Sequence, residues 1–97
     1  MDAIQITKKE DTADGWRFVV EVGPDFNKIG FSAFLDKDYW TELTRGRYTP
    51  EEFVLRSFRF LLQREPRTSI MRSFHLRDIQ RAFSSYEESM RSSPLNT

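Results

Sequence analysis

The chain has no cysteine among its 97 residues, which removes disulfide scaffolds, thiolate metal sites and cysteine nucleophiles together. It has one histidine, His75, so no pair of imidazoles stands at zinc-ligand spacing and no Ser-His-Asp order can be argued. Its 4 glycines are scattered and cannot build a phosphate-cradling loop. Asp36 and Asp38 lack the ring of oxygen ligands that calcium needs and read as helix-start residues. No apolar run approaches the roughly 20 residues that span a bilayer. The first residues, MDAIQITKKED, lack the basic-then-apolar order of a signal peptide, so the expected location is cytoplasmic. The sequence therefore predicts no catalytic group, no cofactor, no metal and no membrane partner.

What the chain does have is aromatic residues and arginine. It carries 9 Phe, 3 Tyr and 2 Trp, and each such ring, when buried, removes on the order of 150–250 Å² from water. A short chain with that content can hold one core, and a disordered one would not normally carry it. The formal net charge of +0 conceals an asymmetry. Residues 1–44 are acidic, whereas Arg45 to Arg81 contains nine arginines, no lysine and four carboxylates. A basic middle behind an acidic front points to an anionic partner without naming one.

Two hydrophobic periods divide the chain. Ile4 and Ile6 alternate with polar neighbours, Asp14-Gly15 marks a turn, and WRFVVEV places Trp16, Phe18, Val20 and Val22 on one face. After Gly23-Pro24-Asp25, a third run from Phe26 to Leu35 places Ile29, Phe31, Ala33 and Leu35 on one face. Three strands joined by short polar turns predict an antiparallel meander. Beyond residue 35 the period becomes helical. Asp36 is placed to cap a short helix, KDYWTELT, closed by Gly46. Thr49-Pro50-Glu51-Glu52 opens a longer helix with a cap, a first-turn proline and an acid at the third position. That helix should run to about Glu65, with Val54, Leu55, Phe58, Leu61 and Leu62 as its core stripe. Ile79, Phe83, Tyr86 and Met90 form one stripe of a last helix, extended backwards by Leu76 and capped by Ser69 or Ser73. The expected fold is α+β: a three-stranded antiparallel meander followed by about three helices packed on one face. It should be a single domain over residues 1–92, with a disordered tail at 93–97.

The candidate site residues lie in the basic middle. Phe53 and Phe60 fall to one side of the core stripe, with Arg64 beside Phe60. Either the apolar stripe is wide enough to pack against both the sheet and the last helix, or the two rings form an exposed patch for a partner. Arg56 and Arg59 share one helical face, and Arg77 and Arg81 share another. If both point one way they make a surface suited to phosphate or carboxylate; otherwise they are solvated and paired locally, as Glu52 with Arg56 at a spacing of four. The expected function is non-enzymatic binding of a protein partner, or of a second copy, through Phe53, Phe60, Arg64, Arg56, Arg59, Arg77 and Arg81. The alternative is nucleic-acid binding, with Arg45, Arg47, Arg56, Arg59, Arg72, Arg77 and Arg81 on phosphate. A small enzyme is the remaining reading.

Two resemblances follow from quoted stretches. Leu43-Thr44 with Gly46, the cap Thr49-Pro50-Glu51-Glu52, the helix end Phe60-Leu61-Leu62 with Arg64-Glu65-Pro66, and Ile70, Phe74, Leu76, Ile79 and Phe83 resemble the pattern of a family of small uncharacterised bacterial proteins. That resemblance covers residues 35–86; it implies a bacterial source and no activity. The stretch FSAFLDKDYWTELTRGRYTPEEFVLRSFRFLL resembles the strand-helix-helix order of ribbon-helix-helix DNA-binding proteins. It departs from them in a short first helix and two extra strands, and its outward strand residues Lys28, Gly30, Ser32 and Phe34 read base edges poorly.

Overall fold

The structure, a computed structural model, describes residues 3–92. The tail expected at 93–97 lies outside the described residues. The elements are β1 (Ile4–Asp11), β2 (Gly15–Val22), β3 (Ile29–Asp36), α1 (Lys37–Thr44), α2 (Pro50–Leu62), β4 (Ser73–His75), α3 (Ile79–Ala82) and α4 (Tyr86–Arg91). Short 3₁₀ turns at Arg67–Ser69 and Leu76–Asp78 flank β4. The class is α+β, as the change of period predicts.

The sheet runs β1-β2-β3-β4. The first three strands form the expected antiparallel meander, and the alternation of β2 and β3 places Phe18, Val20, Val22, Phe31, Ala33 and Leu35 in the core. β3 begins at Ile29, because Pro24 to Asn27 are taken up by the hairpin turn. The meander is not the whole sheet. Ser73–His75 adds a fourth strand parallel to β3, with Phe34 opposite His75. The segment expected to cap or begin a helix is instead anchored in extended form. The Ser32 amide donates to the Arg72 carbonyl at 2.8 Å, Ile70 is buried, and the Phe74 ring lies 5.9 Å from that of Phe58. Neither Ser69 nor Ser73 caps a helix: the first sits in a 3₁₀ turn, the second in β4.

The register of β1 slips at Thr7. This bulge turns Lys9 towards the helices, where its ammonium stands 5.5 Å from the Trp16 ring centroid and 2.8 Å from the Glu51 carboxylate. A bulged edge carrying lysines resists pairing with another strand.

Helix α2 starts as predicted, with the Glu52 amide donating to Thr49 Oγ1 at 3.1 Å and Pro50 in the first turn. It ends at Leu62 rather than Glu65, the last turn tightening as the Arg64 and Glu65 amides both reach the Leu61 carbonyl. Asp36 occupies the cap position of α1 but makes no cap bond; its carboxylate meets Arg77 at 2.9 Å. The chain leaves α1 through two left-handed residues, Arg45 (φ 54°) and then Gly46 (φ 76°), so the arginine and not the glycine terminates it.

The last predicted helix is broken in two. Phe83 is extended (φ −135°, ψ 96°), and Ser84 and Ser85 fill the gap, residues that readily trade helical bonds for local ones. The Gln80 side chain bridges the break, donating to Ser84 O at 2.7 Å and accepting from the Glu87 amide at 2.8 Å. The stripe survives in part: Ile79, Tyr86 and Met90 are buried, while Leu62 and Phe83 are only partly buried at the edge of the core.

Candidate functional site

The expected aromatic patch does not exist on the surface. Phe53 is 0% exposed and Phe60 5%. Phe53 is ringed by Tyr39, Tyr48 and Tyr86, with centroids 6.2, 6.2 and 6.4 Å away. Phe60 packs on Phe83 and Tyr86 at 6.0 and 5.3 Å. The reason is α4. It brings Tyr86 and Met90 back against α2, so α2 is covered on its flank as well as on its sheet-facing stripe. The wide stripe is the reading that holds.

The arginines are engaged close to home. Arg56 and Arg59 share the Glu52 carboxylate at 3.0 and 3.5 Å, and the Arg56 guanidinium lies 3.9 Å from the Tyr48 ring centroid. Arg64 covers Phe60 at 3.5 Å and donates to its carbonyl. Arg77 meets Asp36, and Arg81 stands 3.8 Å from Asp78. Arg47 donates to the Thr44 and Arg91 carbonyls. The two predicted pairs thus answer to carboxylates on different elements rather than to one point. Arg45 and Arg72 are exposed and make no side-chain pair among the described residues.

The titratable groups behave as parts of the scaffold. Burial pushes the Tyr86 phenol far above its usual range, and burial followed by the Glu87 bond at 2.9 Å does the same for Tyr39. Burial also raises Tyr48. Glu10 is held below the usual carboxylate value by Lys8 and Arg17, and Glu51 by Lys9. The His75 ring stacks on Phe34 at 4.9 Å on the uncovered face of the sheet. Among the described residues, no group of three or more His, Asp or Glu side chains is placed to hold a metal ion. No helix there is long and apolar enough to cross a membrane.

Two concave features stand out among the described residues. A cleft of about 610 Å³ lies between the β1–β2 turn and the start of α1, lined by Asp11, Asp14, Asp36 and Asp38 with Lys37, Arg77 and Trp16. A smaller groove of about 160 Å³ lies between the end of α2, the segment before β4, and α3. Leu61, Ile70, Met71, Phe74, Ile79, Ala82 and Phe83 supply its apolar lining, with Ser69, Glu65 and Asp78 completing it. Its lining includes two carboxylates and no cation. Met71 beside it is 70% exposed.

Neither the protein-family models, nor the curated proteins, nor the solved structures contain a match to this chain.

The groove was not legible in the sequence because it joins three segments. Only Met71 carried a local signal, as an apolar residue out of step between the buried Ile70 and the half-buried Phe74. A second signal is Phe26, an aromatic ring in a turn where polar residues are the rule; it is 100% exposed.

Proposed function

We propose that this chain is a non-enzymatic binding domain, and that it docks a protein partner in the groove between α2, the segment before β4, and α3. The observation that carries the reading is the groove's chemistry. It is an apolar slot with an exposed methionine in its lining and two carboxylates, Asp78 with Arg81 at 3.8 Å and Glu65. Charge complementarity selects an occupant with one apolar side chain flanked by a lysine or arginine. Exposed apolar surface rimmed by polar groups is the usual mark of such a site. Phe58 and Phe60 of α2 back this surface through Phe74 and Phe83 and do not themselves meet the partner. A bacterial source belongs to the same proposal and rests on the resemblance of residues 35–86; the cytoplasmic setting rests on the lack of a signal-peptide pattern.

Nucleic acid is the less favoured partner. Arg56, Arg59, Arg77 and Arg81 already face carboxylates, and a polyanion would have to displace them. A ribbon-helix-helix mode also lacks its ribbon, since β3 is flanked by β2 on one side and β4 on the other.

The experiment is photo-crosslinking in the source cell from a benzophenone amino acid placed at position 71. A discrete adduct is expected, with none from position 19 on the uncovered sheet face. Equal yield from both positions, or none from either, would refute the groove.

A further inference from the structure

We infer that the occupant of this groove is the Phe26 side chain of a second copy of the chain. The inference rests on the groove being a docking site, and it names the partner.

Phe26 and Met71 are the two large apolar side chains that stand exposed among the described residues, at 100% and 70%. A free phenyl ring leaves on the order of 150–250 Å² available for burial. The ring is presented by a closed turn. The Asn27 amide donates to the Pro24 carbonyl at 2.9 Å, and Gly23 enters the turn at φ +128°, a conformation that other residues rarely adopt. The groove, at about 160 Å³, matches the roughly 150 Å³ of an apolar cavity that accepts benzene.

Projection and groove lie at the same end of the molecule. A Cβ on Gly23 would stand 3.0 Å from Arg67 Nε, and Arg67 opens the 3₁₀ turn that leads directly to Ile70 and Met71. This placement lets one two-fold axis seat each Phe26 in the other copy's groove, giving a closed pair rather than an open chain. Lys28 follows two residues later and holds Glu21 and Asp25 only at 3.8 and 3.9 Å. On association its ammonium would exchange these exposed partners for Glu65 of the second copy, since Asp78 already has Arg81 at 3.8 Å. Asp25 opposes those carboxylates from the same tip. The ring supplies the attraction and Asp25 weakens it. A contact this small falls below the size of stable interfaces and gives a weak, transient pair.

The test is sedimentation velocity of the full chain from about 10 µM to about 1 mM, for wild type, Phe26→Ser and Asp25→Asn. Wild type should move from monomer towards dimer across the range. Phe26→Ser should stay monomeric, with an unchanged melting midpoint because the ring is wholly exposed in the single chain. Asp25→Asn should dimerise at lower concentration. A wild type that is monomeric throughout, or a Phe26→Ser variant that associates as wild type does, would overturn the inference. The mass of the position-71 adduct separates the two readings. With purified chain at about 1 mM, an adduct of twice the chain mass supports the second copy; its absence there beside an adduct with another protein in the cell leaves the groove standing without it, and no adduct in either removes both.

Discussion

The junction between α2 and α4 includes one buried hydroxyl pair, and it permits a test by sign as well as by size. Tyr86 is fully buried, and its hydroxyl lies 2.6 Å from Ser57 Oγ, itself fully buried. Ser57 has one proton, and of its acceptors the Phe53 carbonyl at 2.8 Å is nearer and stronger than Met90 Sδ at 3.7 Å. Tyr86 must then be the donor to Ser57. Removing the phenol oxygen in Tyr86→Phe loses one hydrogen bond and leaves no buried donor unpaired, a cost of about 1 kcal/mol. Removing the serine oxygen in Ser57→Ala strands the Tyr86 O–H without a partner, a cost of about 1–3 kcal/mol, of which alanine's helix preference returns about 0.5 kcal/mol. In the Ser57→Ala background the second change, Tyr86→Phe, deletes the stranded donor and should restore stability. The same substitution is thus destabilising in wild type and neutral or stabilising in the variant. Thermal melts followed by circular dichroism at fixed protein concentration read this directly, since 1 kcal/mol shifts the midpoint of a domain this size by about 4–8 °C. If Tyr86→Phe lowers the midpoint equally in both backgrounds, the hydroxyls are not coupled and the account of this junction is wrong.

Two glycines should respond in opposite ways to alanine. A Cβ on Gly15 would stand 2.1 Å from the Leu35 carbonyl oxygen and 2.7 Å from the Lys37 amide, so Gly15→Ala must move backbone and should cost about 1–3 kcal/mol. Gly30 has nothing within 4 Å, and Gly30→Ala should be neutral or stabilising by up to about 1 kcal/mol; urea midpoints check both. Acid should weaken the fold through Glu51, whose carboxyl is held below its usual 4.5 by the Lys9 bond. A lowered folded value gives stability that is present above the unfolded value and lost as pH falls through the folded one. Melting midpoints should therefore drop as pH is taken below 4.5, and Lys9→Met should make that drop shallower. An unchanged acid slope in Lys9→Met would remove the pair from the account.

The readable parts of this fold were those with local causes. The alternation of Trp16, Phe18, Val20 and Val22 needs only its own residues to declare a strand, and Thr49-Pro50-Glu51-Glu52 carries a helix start in four positions. β4 does not work that way. Ser73-Phe74-His75 has no period of its own and becomes a strand because β3 offers it an edge. The stripe of Ile79, Phe83, Tyr86 and Met90 was visible, but the break within it was not, because the side chain that closes it, Gln80, acts across seven residues on the Glu87 amide. Phe53 and Phe60 were ambiguous for a related reason. Whether a ring beside a core stripe is buried depends on what packs on that flank, and Tyr86 comes from a distant part of the chain. The arginines declared a basic segment correctly, yet each one's meaning depended on carboxylates that folding brings near, such as Asp36 for Arg77. The groove, made from three such segments, had no local trace beyond Met71.

The central claim is that the groove, and not the arginine face, is where a partner sits. The yield of the position-71 cross-link tests this most directly when compared in two variant backgrounds. Glu65→Arg reverses a lining charge and should cut the yield several-fold, since like charges at an interface oppose association. The double variant Arg56→Ala with Arg59→Ala should leave the yield unchanged. If the arginine variant abolishes the adduct and Glu65→Arg does not, the partner sits on the basic helix face and the groove reading is contradicted.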